Sequence, residues 1–374
     1  MKELNTVLGI FRSKFMKRPF YIRFHITHRC NYQCRMCRQH VQGDRFRELS
    51  LEQIRQVARV AADLGARHVV ITGGEPFLRP DLPEVIAAFN DCNFSVRVQT
   101  NGGPQVTAAL VEKCARAGLQ DLSVSVDTLD RTLQDEICQA HDVVDNALRT
   151  LKIAREVLSH SMSQANIVAS RFNFTEIPDL VKYFHAMGSY SYVTPVMILT
   201  DRDQRSDRYT FRSDDADFRP ESLPAAVHDL VLDRLIALRK QGQGLTNSTR
   251  YLNDYREYLA SGRIAWRCEA GTLCLDVMPD GHVSICKEKP AMGSILDPGF
   301  KKYFRSPEFA KNAGDMIDSC SGCFYGEYRE PQYVVRDPTV LAEWFRDWLR
   351  LFRFGMKFKP HGSEPAEPEK SLHG

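Results

Sequence analysis

His28-Arg29-Cys30-Asn31-Tyr32-Gln33-Cys34-Arg35-Met36-Cys37 follows directly on the apolar run Tyr21 to Ile26. The run reads as a β-strand, and three thiols at spacings of four and three behind it read as a metal-binding loop at the strand's C-terminal end. Iron-sulfur clusters are normally held by four Cys. Three at Cys30, Cys34 and Cys37 leave one iron of a cubane without a protein ligand, and metal sites that keep an open position tend to be the catalytic ones. Taken alone, the spacing also suits a zinc fragment or half of a ferredoxin-type site.

Outward from this loop, residues from about 20 to 200 alternate short apolar runs with helical patterns, the mark of repeated βα units on a parallel sheet. Six strands are predicted, at Tyr21 to Ile26, His68 to Ile71, Phe94 to Gln99, Leu122 to Val126, Asn166 to Ala169 and Tyr192 to Ile198. Helical periodicity lies between them at Leu51 to Leu64, Leu82 to Asn90, Val106 to Ala117, Val143 to Leu158 and Ile177 to Met187. Six units do not close an eight-stranded barrel, so the expected fold is α/β, a partial, open-sided (β/α)6 TIM-like barrel with its chemistry at the strand C-termini. The Asp- and Arg-rich stretch 201–219 reads as a solvated excursion in the position of a lid.

A net charge of +3 with interleaved Lys, Arg, Asp and Glu gives no reason to expect nucleic acid as a partner. Eleven Cys without a signal-peptide pattern point to a reducing, cytoplasmic setting in which thiols meet metal. No apolar run approaches the roughly 20 residues of a membrane-spanning helix. The expected organisation is an N-terminal amphipathic segment (1–19), the barrel (20–241), a second module (242–335), an amphipathic C-terminal helix (336–358) and a disordered tail (359–374). Helix Thr339 to Phe354 carries Leu341, Trp344, Phe345, Trp348, Leu349, Leu351 and Phe352 on one face. That face packs on the barrel or makes peripheral contact with a membrane surface.

Polar residues recur where the strands end. Thr72-Gly73-Gly74-Glu75-Pro76 follows strand 2, and its paired glycines let a ligand approach the backbone. Thr100-Asn101-Gly102 ends strand 3. Ser125 and Asp127 end strand 4 two residues apart, on one face, where they hydrogen-bond a ribose diol or cap the next helix. In the second module Cys268, Cys286, Cys320 and Cys323 form two pairs, a full ligand set for one closed [4Fe-4S] cluster or for zinc. Cys92, Cys114 and Cys138 read as small buried hydrophobes, and Cys274 as structural.

Cys30, Cys34 and Cys37 together with Gly73-Gly74-Glu75 resemble the radical S-adenosylmethionine superfamily over residues from about 20 to 200. The resemblance implies that the open iron chelates the amino and carboxylate groups of S-adenosylmethionine and that the Gly73-Gly74-Glu75 turn holds its amino group. It further implies that Ser125 and Asp127 lie near the ribose, and that Ser170 and Arg171 contact the methionyl or ribose part, with Thr100 and Asn101 among the cofactor contacts. Met36 departs from the aromatic residue usual in the family at that position; Met36 itself, or Tyr32, is left to pack on the adenine.

Residues 266 to about 330 resemble the auxiliary-cluster domain called twitch, a shortened SPASM domain. The full pattern needs a further Cys where this chain has Arg329. The implied reaction is reductive cleavage of S-adenosylmethionine to a 5'-deoxyadenosyl radical, which takes hydrogen from an unactivated C-H of a small sugar-, nucleoside- or lipid-like substrate. A reductant such as flavodoxin or ferredoxin would supply the electron, and Arg171, Tyr192 and Thr194 are the candidate substrate-pocket residues. Two other readings are a peptide-modifying maturase and a non-catalytic iron-sulfur electron carrier.

Overall fold

The computed structural model describes residues 18–41, 47–158, 163–199, 212–262, 266–320 and 322–354, with Gly9, Ser13 and Phe15 besides; from 348 to 354 it describes the backbone alone. Most of the N-terminal segment, residues 201–211, the tail 359–374 and the side chains of Trp348, Leu349, Leu351 and Phe352 lie outside the described residues.

Nine strands form one sheet: β1 Tyr21–Thr27, β2 His68–Gly73, β3 Ser95–Thr100, β4 Leu119–Ser125, β5 Ser163–Ala169, β6 Tyr190–Pro195, β7 Cys274–Val277, β8 His282–Ser284 and β9 Gly293–Ser294. Their order is β6-β5-β4-β3-β2-β1-β7-β8-β9. The first six run parallel, each beside its sequence neighbour, as right-handed βα crossovers produce. β1 does not meet β6, so the barrel is open along one side. β7 pairs parallel with β1 from Tyr21↔Cys274 to Phe24↔Val277, and β8 and β9 follow antiparallel. The second module thus extends the barrel's own sheet.

The α-helices among the described residues are α1 Leu51–Leu64, α2 Leu82–Asn90, α3 Ala108–Ala117, α4 Arg131–Cys138, α5 Val143–Val157, α6 Ile177–Ala186, α7 Ala225–Gln241, α8 Thr249–Ser261, α9 Phe300–Phe304, α10 Pro307–Asp318, α11 Gly326–Arg336 and α12 Pro338–Phe354. Local sequence sets their ends. Ser50 and Gln53 form a reciprocal capping box on α1, which stops at Gly65 in the left-handed region (φ 116°). Its buried stripe of Ile54, Val57, Ala58, Ala61 and Leu64 covers the sheet.

Along β2, β3 and β6, outward residues such as Ile71, Val98 and Val193 are buried under helices, and the alternating residues are for the most part half-buried toward the lumen. The free edge of β6 is covered by 244–247: Ser191 N–H donates to Gly244 O (2.7 Å), and the Asn247 side chain bonds both backbone groups of Val193 (2.8 and 2.9 Å). An open edge is a template for aggregation, and this segment closes it.

Candidate functional site

Because β1 ends at Thr27, its loop stands at the C-terminal mouth of the barrel, and Cys30, Cys34 and Cys37 are all half-buried there. The second thiol group gathers around Cys323: Cys268, Cys286 and Cys320 all lie close enough to it to interact electrostatically. Burial pushes the Cys30 thiol up to about 11 and that of Cys268 up to about 12. Bound iron reverses that preference, since a coordinating thiol is deprotonated.

Six of these seven sulfurs share one local geometry, each accepting a backbone N–H from the residue two positions later. Gln39 donates to Cys37 (3.5 Å), Ala270 to Cys268 (3.4 Å), Glu288 to Cys286 (3.4 Å) and Gly322 to Cys320 (3.5 Å). Tyr32 donates to Cys30 and Tyr325 to Cys323 in the same way. Asn101 Nδ2 adds a longer contact to Cys30 (3.8 Å). N–H groups aimed at sulfur favour the thiolate and help set the potential of an iron-sulfur cluster.

Gly73 and Gly74 line the same cavity as the three-Cys loop. Their missing side chains serve the protein's own packing. A Cβ on Gly73 (φ 136°) would stand 2.2 Å from Thr27 O, and one on Gly74 would stand 2.1 Å from Arg29 O. The gap is that narrow because Gly74 N–H donates to Thr27 O and Glu75 N–H to Arg29 O, both at 2.8 Å. The β2 turn thus pins the root of the cluster loop.

Glu75 is fully buried, and its carboxylate accepts from Phe77 N–H (2.9 Å), Thr100 Oγ1 (2.9 Å) and Asn101 N–H (2.7 Å). It braces the end of β3, and burial raises its pKa to about 7.

The other expected contacts divide. Thr100, Asn101, Ser125, Asp127, Tyr32 and Met36 all line the cavity. Ser125 is exposed, but Asp127 is buried and accepts Val168 N–H at 2.7 Å, tying β4 to β5; burial raises it to about 6. Ser170 is buried in a turn, donating to Asn173 Oδ1 (3.2 Å), and Arg171 is exposed with its guanidinium over Phe172 (4.9 Å). Neither is part of the cavity wall. Tyr192 and Thr194 do line it, because they occupy inward positions of β6. Tyr32 packs with Met36, Cys30 and Cys34 in a small apolar cluster.

A buried polar chain that sequence reasoning missed joins the two thiol groups. Gln39, whose N–H serves Cys37, reaches His25 Nδ1 with its side chain (3.3 Å), and His25 Nε2 meets Asp276 Oδ1 (3.0 Å). Tyr328 OH donates to Asp276 Oδ2 (2.7 Å) and accepts the N–H of Lys287, the residue after Cys286 (3.1 Å). Arg23 and Lys287 flank Glu327 at 2.5 and 3.0 Å. Burial alone would raise Glu327, but Lys287 and Arg23 hold it down to about 2. The available signal was the position of Arg23 and His25 at alternate places in β1.

The described end of the 201–219 excursion is tied to both thiol groups: Arg35 pairs with Asp215 (2.8 Å) beside the first, and Arg212 donates to Gly322 O (3.2 Å) in the second. Arg329, standing where the longer pattern has Cys, is buried. It donates to Cys323 O (2.9 Å) and lies between the rings of Trp266 (4.1 Å) and Phe324 (4.5 Å).

The shared cavity measures ≈ 2640 Å³. On α12, Leu341 and Trp344 pack against the core, Glu343 and Asp347 pair with the buried Arg239, and Phe345 is exposed. Among the described residues no helix is long and apolar enough to cross a membrane.

Residues 24–184 match the family described as the Radical SAM superfamily. The chain is 32% identical over 162 residues to a probable GTP 3',8-cyclase of Pyrococcus abyssi, covering 43% of this chain and 52% of that protein. It is 40% identical over 146 residues to a GTP 3',8-cyclase of Pectobacterium atrosepticum, covering 36% and 44%. The chain spans about half the length of the curated relatives it matches. In fold it is similar to SuiB of Streptococcus suis, with a TM-score of 0.60 at 16% identity, covering 80% of this chain and 68% of that one.

Proposed function

Residues 24–184 form a radical SAM domain, of a superfamily that works with a [4Fe-4S] cluster and S-adenosylmethionine, and from that premise we propose that the protein is a two-cluster enzyme acting on a C-H bond of a small polar molecule. When bound, the reduced cluster and S-adenosylmethionine supply a 5'-deoxyadenosyl radical that takes hydrogen from an unactivated carbon. Cys30, Cys34 and Cys37 are the ligands of that cluster, and Cys268, Cys286, Cys320 and Cys323 those of an auxiliary one. The observation that carries this reading is the shared amide-to-sulfur geometry at six of the seven thiols.

The chain's own residues bind and orient. Asn101, Ser125 and Asp127 line the cavity on the cofactor side. Arg23, His25, Tyr192, Thr194, Lys287 and Glu327 line it as well, and the polar chain through His25 runs between the two thiol groups. A wall with that many hydrogen-bonding groups favours a sugar- or nucleoside-like substrate. The cyclases' own substrate does not follow from the likeness, since the chain spans only about half of their length.

Anaerobic iron and sulfide analysis is expected to give about eight irons per chain, two cubanes. Reduction with dithionite and addition of S-adenosylmethionine is expected to release 5'-deoxyadenosine; none released with both clusters intact overturns the catalytic reading. Cys37→Ala should abolish release, whereas Cys323→Ala should retain it while losing substrate turnover.

A further inference from the structure

Cys34 is the exception among the seven thiols. Its sulfur takes no amide from the residue two positions on and packs instead in the small apolar cluster that holds Cys138. We propose that Cys34 and Cys138 are an oxidisable pair, which closes to a disulfide when the loop carries no cluster. The inference rests on the proposed function only for its consequence at the cluster.

The contact is fixed from both sides. Cys138 is the last residue of α4, and the residues flanking Cys34 are bonded to that helix end: Gln33 N–H donates to Cys138 O (3.2 Å) and Arg35 N–H to Ile137 O (2.9 Å). The Cys138 sulfur is itself held by Gln134 Nε2 at 3.2 Å. Gln134 is anchored in turn, its Oε1 accepting the N–H groups of Asp127 (3.0 Å) and Thr128 (2.9 Å). Both thiols line the cavity, Cys34 half-buried and Cys138 5% exposed, and they share the small apolar cluster around Tyr32. Two thiols held side by side at a cavity wall are the arrangement in which oxidation of one ends as a disulfide with the other.

With hydrogen peroxide as oxidant the step balances. The Cys34 sulfur takes one peroxide oxygen as a sulfenic acid and releases one water; the Cys138 sulfur then attacks it, the S-S bond forms, and the second water leaves. A dithiol reverses the bond by exchange. While it stands, Cys34 is withdrawn from the ligand set and the first cluster does not assemble.

The test uses the full chain stripped of iron, treated with one equivalent of peroxide, alkylated, digested and weighed by mass spectrometry. The Cys34 and Cys138 peptides are expected to be joined, in higher yield than any other pair. Subsequent iron uptake should fall from about eight to about four per chain, and Cys138→Ser should keep the full amount. A Cys34–Cys37 link in place of Cys34–Cys138, or iron uptake lost equally in Cys138→Ser, overturns the inference. The wild-type map needs no variant to fold. Iron-loaded protein separates the two ideas: protection of Cys34 is expected, whereas the same link forming at the same rate would sink Cys34 as a cluster ligand and leave the disulfide standing.

Discussion

At the residue scale, Gly74 and Glu75 hold the cluster loop by opposite means, one by lacking a side chain and the other by burying a charged one. Gly74→Ala would push a methyl into Arg29 O, and overpacking of this kind costs about 1–3 kcal/mol. A lowered denaturant midpoint together with poor iron retention is the expected result.

Glu75 gives a pH dependence with a definite sign. Its folded pKa, about 7, lies above the ordinary carboxylate value, so the folded state holds its proton more tightly than the unfolded one. The stability this proton contributes is present at low pH and lost as pH rises through about 7. His28 and His68, lowered by burial to about 4, act oppositely over part of the range, so the useful quantity is a difference. Unfolding measured from about pH 5 to about pH 8 should show wild type losing stability relative to Glu75→Gln. Parallel curves would contradict the assignment.

At the scale of elements, Arg329 joins α11 to the second thiol group. Charge-assisted hydrogen bonds contribute about 1.5–3 kcal/mol each, so Arg329→Met should lower stability by about that much. Iron should fall toward about four per chain with 5'-deoxyadenosine release retained.

β2, β4 and β6 were legible because each is a short apolar run behind a glycine helix stop, at Gly65, Gly118 and Gly188, and α1 because Ser50, Gln53 and Gly65 punctuate it. α8 was not. Its inward face is Tyr251, Tyr255 and Tyr258, whose rings pack against Phe324 from a distant segment; Tyr255 and Tyr258 stack on it at 5.2 Å. α11 opens on Gly326 and contains Pro331, so local propensity argued against a helix that tertiary packing imposes. At the site, strand-end chemistry could be read from spacing, but the direction of each side chain could not. Asp127 and Glu75 spend their oxygens on neighbouring backbone, a choice set by contacts with Val168 and Asn101 that lie far off in sequence.

At the scale of the whole molecule, the polar chain through His25, Asp276 and Tyr328 makes the two thiol groups one structure. Tyr328→Phe leaves Asp276 Oδ2 and Lys287 N–H each without this partner, a cost of about 1–3 kcal/mol. Removing iron from either group of the wild-type protein should raise hydrogen exchange at the other, and Tyr328→Phe should weaken that coupling. The pairing of β7 with β1 reaches further, into how the protein is made. Cys274 meets Tyr21 across about 250 residues of chain, a stretch that a ribosome working at about 5–20 residues per second takes about 10–50 s to produce. Until β7 emerges, the strand that presents the first three cysteines has a bare flank.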